Sequence, residues 1–139
     1  MQKIYEWDKS LETGNEIIDA QHKSMFSALN NLITANEEGK APLEIQKTIE
    51  FLAQYIIQHF ADEEKLQEEC GYPHIIEHKN RHLDLRNNVT ELLKKLYNEG
   101  CSSKFVEHII LVMTDWLTRH IKGDDFKLAA YIKIKDLTK

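Results

Sequence analysis

Residues 75 to 100 read IIEHKNRHLDLRNNVTELLKKLYNEG, and the spacing of their apolar side chains decides the fold. Ile75, His78, His82, Leu85, Val89, Leu92 and Leu96 step by three and four without a break, which puts all seven on one face of an α-helix. Gly100 then stops the helix. Two of the seven inward positions hold histidine where a helix seam ordinarily carries leucine.

The same period appears on both sides. Upstream, Pro42 suits the first turn of a helix with the seam Ile45, Ile49, Leu52, Ile56, His59, Glu63 and Leu66, which stops near Gly71 and Pro73. Before it, Asn15 offers a cap for a helix with the seam Ile18, His22, Met25, Leu29, Leu32 and Asn36, ending at Gly39. Downstream, Phe105, Ile109, Val112, Trp116 and His120 mark a fourth helix running to Gly123. No segment alternates with period two for long enough to make a strand, so the chain reads as all-α. Long helices joined by connections of a few residues run antiparallel to their neighbours. The expected fold is an up-down-up-down antiparallel four-helix bundle with an extended N-terminal arm and a short C-terminal helix. Residues 1–139 form one domain in this reading: arm 1–14, bundle about 15–123 and tail 124–139. Tyr5 and Trp7 are available on the arm to pack against the core, and the tail carries the amphipathic stretch FKLAAYIKI with its lysines on the wet side.

A chain of 139 residues is the size of one domain with a single core. Its 18 Lys+Arg against 23 Asp+Glu give a formal charge of -5, which leaves no basic footprint for nucleic acid or an anionic membrane. No stretch has the apolar length of a signal peptide or a membrane span, so the expected location is the cytoplasm. Cys70 and Cys101 match no metal-type Cys-x-x-Cys spacing and read as free thiols. They fall at opposite ends of a bundle roughly 30 Å long, too far apart for an internal disulfide.

Topology tests the histidines. With the start of the first helix called the bottom, the second helix ends there, the third begins there and the fourth ends there. His22, His59, His78, His82 and His120 all fall at that end, so five imidazoles can converge. Glu63 follows His59 by four and shares its face. Asp124 and Asp125 follow His120 just past Gly123, a glycine able to turn the chain inward. Buried imidazoles and carboxylates without partners are costly, and metal supplies the compensation. Five imidazoles and two carboxylates, Glu63 and one of the two aspartates, make seven ligands, which exceed the four of a structural zinc site and suit two metals sharing carboxylates. The absence of any Glu-x-x-His pair argues against the ferritin-like di-iron arrangement. His74 and His108 lie off the seams and read as surface histidines.

On WD at 7 and 8, IDAQH at 18–22, HFADEE at 59–64, YPHIIEHKNRH at 72–82 and WLTRHIKGDD at 116–125, the chain resembles the hemerythrin family in its single-domain bacterial form, bacteriohemerythrin. The resemblance covers residues 7 to about 131. It implies two iron ions with a bridging oxo or hydroxo group: His78, His82 and His120 on one iron, His22 and His59 on the other, and Glu63 and Asp125 bridging. Asp124 is then a solvated neighbour and Glu77 faces water. The iron with two histidines keeps an open position for dioxygen, in a pocket lined by Phe60, Trp116, Leu117 and Ile121. Met25, one turn after His22, is close enough to join that lining. An apolar lining keeps out water and slows loss of reduced oxygen species.

The expected function is reversible dioxygen binding for oxygen storage, transport, delivery or sensing, without enzymatic turnover. A di-iron oxidoreductase acting on peroxide, dioxygen or nitric oxide is the alternative, and a hydrolytic zinc or manganese centre ranks below it. Dioxygen is the expected partner, no partner protein is specified, and the chain is expected to be a monomer or a weak homo-oligomer.

Overall fold

Helix boundaries fall where the chain's local chemistry puts them. The computed structural model describes Trp7 and residues 9–137, so Tyr5 and Asp8 lie outside the described residues. Helix α1 spans Glu16–Glu37. Asn15 sits extended ahead of it, and its side-chain oxygen accepts the Ile18 N–H at 3.0 Å. Asp19, in the first turn, reaches back to the arm: one oxygen accepts the Thr13 N–H at 2.9 Å and the Thr13 hydroxyl at 2.8 Å, the other the Gly14 N–H at 3.2 Å. A carboxylate there also meets the positive end of the helix dipole. Replacing Asn15 with Ala is expected to cost ~1 kcal/mol in urea unfolding; an unchanged midpoint would mean the cap contributes nothing.

Helix α2 spans Pro42–Cys70, begins on the proline and closes at Gly71, whose φ of 68° is the left-handed conformation that glycine adopts without a Cβ clash. Helix α3 spans Ile75–Glu99, and α4 spans Ser103–His120 with the Ser102 hydroxyl accepting the Phe105 N–H at 3.2 Å. The short connections 38–41, 71–74 and 100–102 reverse the chain each time. Helix α1 packs against α2 and α4, and α2 against α3, giving the antiparallel four-helix bundle. The upper core is mainly apolar: Leu29, Leu32 and Ile33 meet Ile49, Leu52, Leu85, Val89, Leu96 and Ile109, all buried, and buried Asn36 at the top donates to the Ser103 carbonyl at 3.4 Å. Among the described residues, no helix is long and apolar enough to cross a membrane.

Four sequence expectations change. Residues 9–11 of the arm form a 3₁₀ turn that buries Leu11, so the arm is not extended throughout. Near the end of α2 the buried position is Gln67, while Leu66 is half-buried. The stripe of α4 is centred one residue away from the expected one: Val106, Ile109, Ile110, Met113, Leu117 and His120 are buried, and Phe105, Val112 and Trp116 are half-buried. Both stripes satisfy the helical period. The expected one follows the large aromatic side chains, and those instead cover the edge of the core.

Gly123 does not turn the chain either. Ile121–Asp125 form a π-helical turn that joins α4 directly to α5, Phe126–Leu137. That wider turn has a geometric reason. At 3.6 residues per turn, a residue five places after His120 lies roughly 1.4 turns on and faces away from it. Widening one turn brings Asp125 back to the inner face. On α5, Leu128 packs with Ile18 and Tyr72 beneath the bundle, with Lys127, Lys133 and Lys135 outside.

Candidate metal centre

Below Met25, Ile56, Leu85 and Leu117 the apolar core gives way to polar side chains. His22, His59, Glu63, His78, His82, His120 and Asp125 are at most 4% exposed. Their inward atoms form two groups that share both acids: Glu63, His78, His82, His120 and Asp125 in one, and His22, His59, Glu63 and Asp125 in the other, each with its donor atoms within 4.8 Å of one another.

Each carboxylate divides its oxygens between the groups. Glu63 Oε1 lies 2.9 Å from His78 Nε2, 3.0 Å from His82 Nε2 and 3.4 Å from His120 Nε2. Its Oε2 lies 3.4 Å from His59 Nε2. Asp125 Oδ1 is 2.9 Å from His120 Nε2 and 3.1 Å from His78 Nε2, whereas Oδ2 is 2.6 Å from His22 Nε2 and 3.7 Å from His59 Nε2. All five imidazoles therefore present Nε2 to one centre.

His59 Nε2, both oxygens of Glu63 and Asp125 Oδ1 are buried without hydrogen-bond partners. Such groups are costly unless something compensates them. Two cations, each approached by imidazole nitrogens and one oxygen of each acid, would use every one of these atoms. The donor set fits metal.

The electrostatics follow from the same crowding. Burial opposes ionisation of Glu63 and Asp125, and the two acids repel each other, but the surrounding imidazoles hold both carboxyls well below the usual carboxylate range. Burial likewise opposes a charge on His59, yet Asp125 and Glu63 outweigh it and push its pKa up to about 9. His120 is raised well above its ordinary value against the same opposition, through Asp125 and Asp124. At His82 burial wins and the value falls.

Of the outward-facing nitrogens, those of His59 and His78 have hydrogen-bond partners, and those of His22, His82 and His120 do not. His59 Nδ1 lies 2.6 Å from Gln21 Oε1, and the Gln21 amide donates to Asp62 at 2.9 Å. The Gln67 amide lies 2.7 Å from His78 Nδ1. If Nε2 binds a metal, Nδ1 carries the hydrogen and needs an acceptor; Gln67 Oε1, buried without a partner, can supply it by a flip of the amide. His120 Nδ1 lies 3.3 Å from Asp124 Oδ2.

Asp124 is therefore no solvated neighbour. It is only 8% exposed and pairs with the Arg81 guanidinium. Burial pushes its pKa up, but His120 and Arg81 prevail and bring it down to about 2. Sequence reasoning missed Gln21, Gln67 and Asp124 as partners of the ligand candidates. Gln67 carried a signal, because it continues the four-residue step of His59 and Glu63. His74, His108 and Glu77 are exposed.

The five residues expected to line a dioxygen pocket divide by burial. Met25, Phe60, Leu117 and Ile121 are buried, and Trp116 is half-buried. Phe60 stacks parallel on His82 with centroids 4.0 Å apart, and Trp116 stacks on His120 at 4.3 Å. Beside the two-histidine group stands Trp7, 6.2 Å from His22 and edge-on to Phe26. A surface cavity of about 410 Å³ opens against His120, lined by Arg81, Trp116, Arg119, Gly123, Asp124 and Lys127.

Known proteins resemble this chain in sequence and fold. Residues 13–132 match the family described as Hemerythrin HHE cation binding domain. A bacteriohemerythrin of Stenotrophomonas maltophilia is 32% identical over 128 residues, covering 91% of this chain and 80% of the relative. A myohemerythrin of Theromyzon tessulatum is 32% identical over 123 residues, covering 88% and 89%. The crystal structure of a wild-type hemerythrin superposes with a TM-score of 0.80 at 26% identity, covering 92% of this chain and 97% of that one. A matching family profile over most of the chain, two relatives above 30% identity and a buried His/Glu/Asp cluster able to hold metal place this chain in the hemerythrin family.

Proposed function

We propose that this chain binds dioxygen reversibly at a non-haem di-iron centre and serves in oxygen storage, transport or delivery as a single cytoplasmic domain. The observation that carries the reading is the division of Glu63 and Asp125, each offering one oxygen to a three-histidine group and one to a two-histidine group. In this reading His78, His82 and His120 would hold one iron and His22 and His59 the other, with Glu63 and Asp125 shared between them and an oxo or hydroxo group completing the centre. Two iron ions held by these residues would supply the two electrons that bound dioxygen takes up, one from each, and would take them back on release. The two-histidine group has one nitrogen fewer, which leaves room for a small ligand. In this reading Met25, Phe60, Trp116, Leu117 and Ile121 line the ligand pocket; Met25, Phe60, Leu117 and Ile121 are buried, while Phe60 and Trp116 stack on His82 and His120 of the three-histidine group, and an apolar lining favours binding over turnover. The names of the relatives, bacteriohemerythrin and myohemerythrin, point the same way.

Iron-loaded protein, reduced without air and then exposed to it, is expected to develop a visible charge-transfer band that disappears on removal of oxygen. No reversible band would sink the reading. One observation favours a di-iron oxidoreductase instead: half-buried Trp116, stacked on His120 beside the surface cavity, offers an electron a way in. Sustained consumption of peroxide or nitric oxide with a reductant would establish that alternative.

A further inference from the structure

The outer face of His120 differs from those of the other four imidazoles. The nearest side-chain partners of His59 and His78 are neutral amides, Gln21 and Gln67. His22, His82 and His120 have no hydrogen bond at Nδ1, and the carboxylate near His82 Nδ1, Glu64 at 3.6 Å, is partly exposed. His120 alone among them faces a buried carboxylate, Asp124, at 3.3 Å, and Arg81 pairs with the same oxygen of that acid. Trp116 stacks against the imidazole, tilted by only 18°. The ring is thus held between an indole and a carboxylate.

His120 is also the ligand candidate that the 410 Å³ cavity reaches, with Asp124 and Arg81 in the cavity wall. A chelator or competing ligand entering by this cavity meets the His120 imidazole, while a smaller cavity of about 190 Å³ leads to Glu63. The π-helical turn is what allows the arrangement, since it brings Asp124 and Asp125, four and five places after His120, inward together.

We propose that Asp124, held by Arg81, is a positioning residue that pins His120 and so governs how long the three-histidine group keeps its metal; the proposal rests on the two-metal reading above. A carboxylate accepting the Nδ1 hydrogen fixes both the tautomer and the ring plane of an imidazole that ligates through Nε2, and loss of such a partner typically weakens metal binding ~10–100-fold. The guanidinium pairs with the same Asp124 oxygen that faces the ring and so fixes the position of the acid.

The test loads the full chain with iron(II) without air and follows release to a colorimetric chelator. Wild-type protein is expected to release two irons slowly. In Asp124→Asn and Arg81→Met one iron should leave ~10–100-fold faster and the other at the wild-type rate, and Asp124→Glu should recover part of the loss. Melting of the metal-stripped variants is read in parallel. A purely structural role would lower that melting point and leave the two release rates alike. Release of both irons at wild-type rates, or equal acceleration of both, would overturn the proposal while leaving the di-iron reading intact. Wild-type protein that takes up no iron would overturn both.

Discussion

Replacing either Glu63 or Asp125 with Ala is expected to empty both metal positions together. Each acid supplies one oxygen to the three-histidine group and the other to the two-histidine group, so either substitution removes a ligand from both. The damage extends to charge. Five imidazoles around two divalent cations have only these two carboxylates among the residues at most 4% exposed, and a buried cation stripped of one counter-charge faces an uncompensated desolvation cost of several kcal/mol. Single-histidine variants provide the contrast. His22→Ala touches only the smaller group and should keep about one metal per chain, since the other group retains all its nitrogens. The metal-to-protein ratio after anaerobic loading and gel filtration, with helicity checked by circular dichroism, separates these cases. A folded Glu63→Ala or Asp125→Ala variant that retains the wild-type ratio would remove the bridging assignment.

The bundle was legible because period and topology are both carried by spacing. Seam residues at three and four, with connections too short for anything but reversal, place His22, His59, His78, His82 and His120 at one end whatever they bind. Burial was less legible where two stripes satisfied the same period, as on α4, where the aromatic side chains drew attention to Phe105 and Trp116 while Val106, Met113 and Leu117 fill the core. Leu66 misled in the same way: its apolar side chain suggested the seam, but the wholly buried residue is Gln67, whose amide is needed beside His78. Asp124 lay out of reach for a different reason. In a regular helix Asp124, four places after His120, shares its face and Asp125 does not, whereas the family resemblance gives the ligand role to Asp125, which left Asp124 to solvent. Only the π-helical turn brings both in, and nothing in IKGDD announces such a turn. Partners of ligands are hard to read for a general reason: they answer to the orientation of one ring, which a helical period does not record.

Stripping the metal is expected to reverse how stability responds to pH. Without metal, the folded protein holds a proton on His59 up to pH about 9, against about 6.5 for an unperturbed histidine. A group whose pKa is raised by folding adds stability that is full below its unfolded value and is lost as pH rises through its folded value. At ~1.4 kcal/mol for each pH unit between those limits, His59 alone contributes on the order of 3 kcal/mol. His120 and His78 are raised too and act in the same direction; His82, lowered mainly by burial, opposes them. The acid side is set by Glu63, Asp125 and Asp124, whose lowered values add stability above the usual carboxylate range that is lost as pH falls through their folded values. The chelator-stripped protein should therefore melt roughly 10 °C lower at pH 9 than at pH 6. Metal-loaded protein should do the opposite, because a metal needs neutral imidazoles and protons compete with it, so its melting point should rise from pH 5 toward 8. Thermal melts of both forms across this range decide the matter. A stripped protein that becomes more stable from pH 6 to 9 would show that its buried imidazoles do not hold protons in the folded state, and that Glu63 and Asp125 are neutralised in some other way.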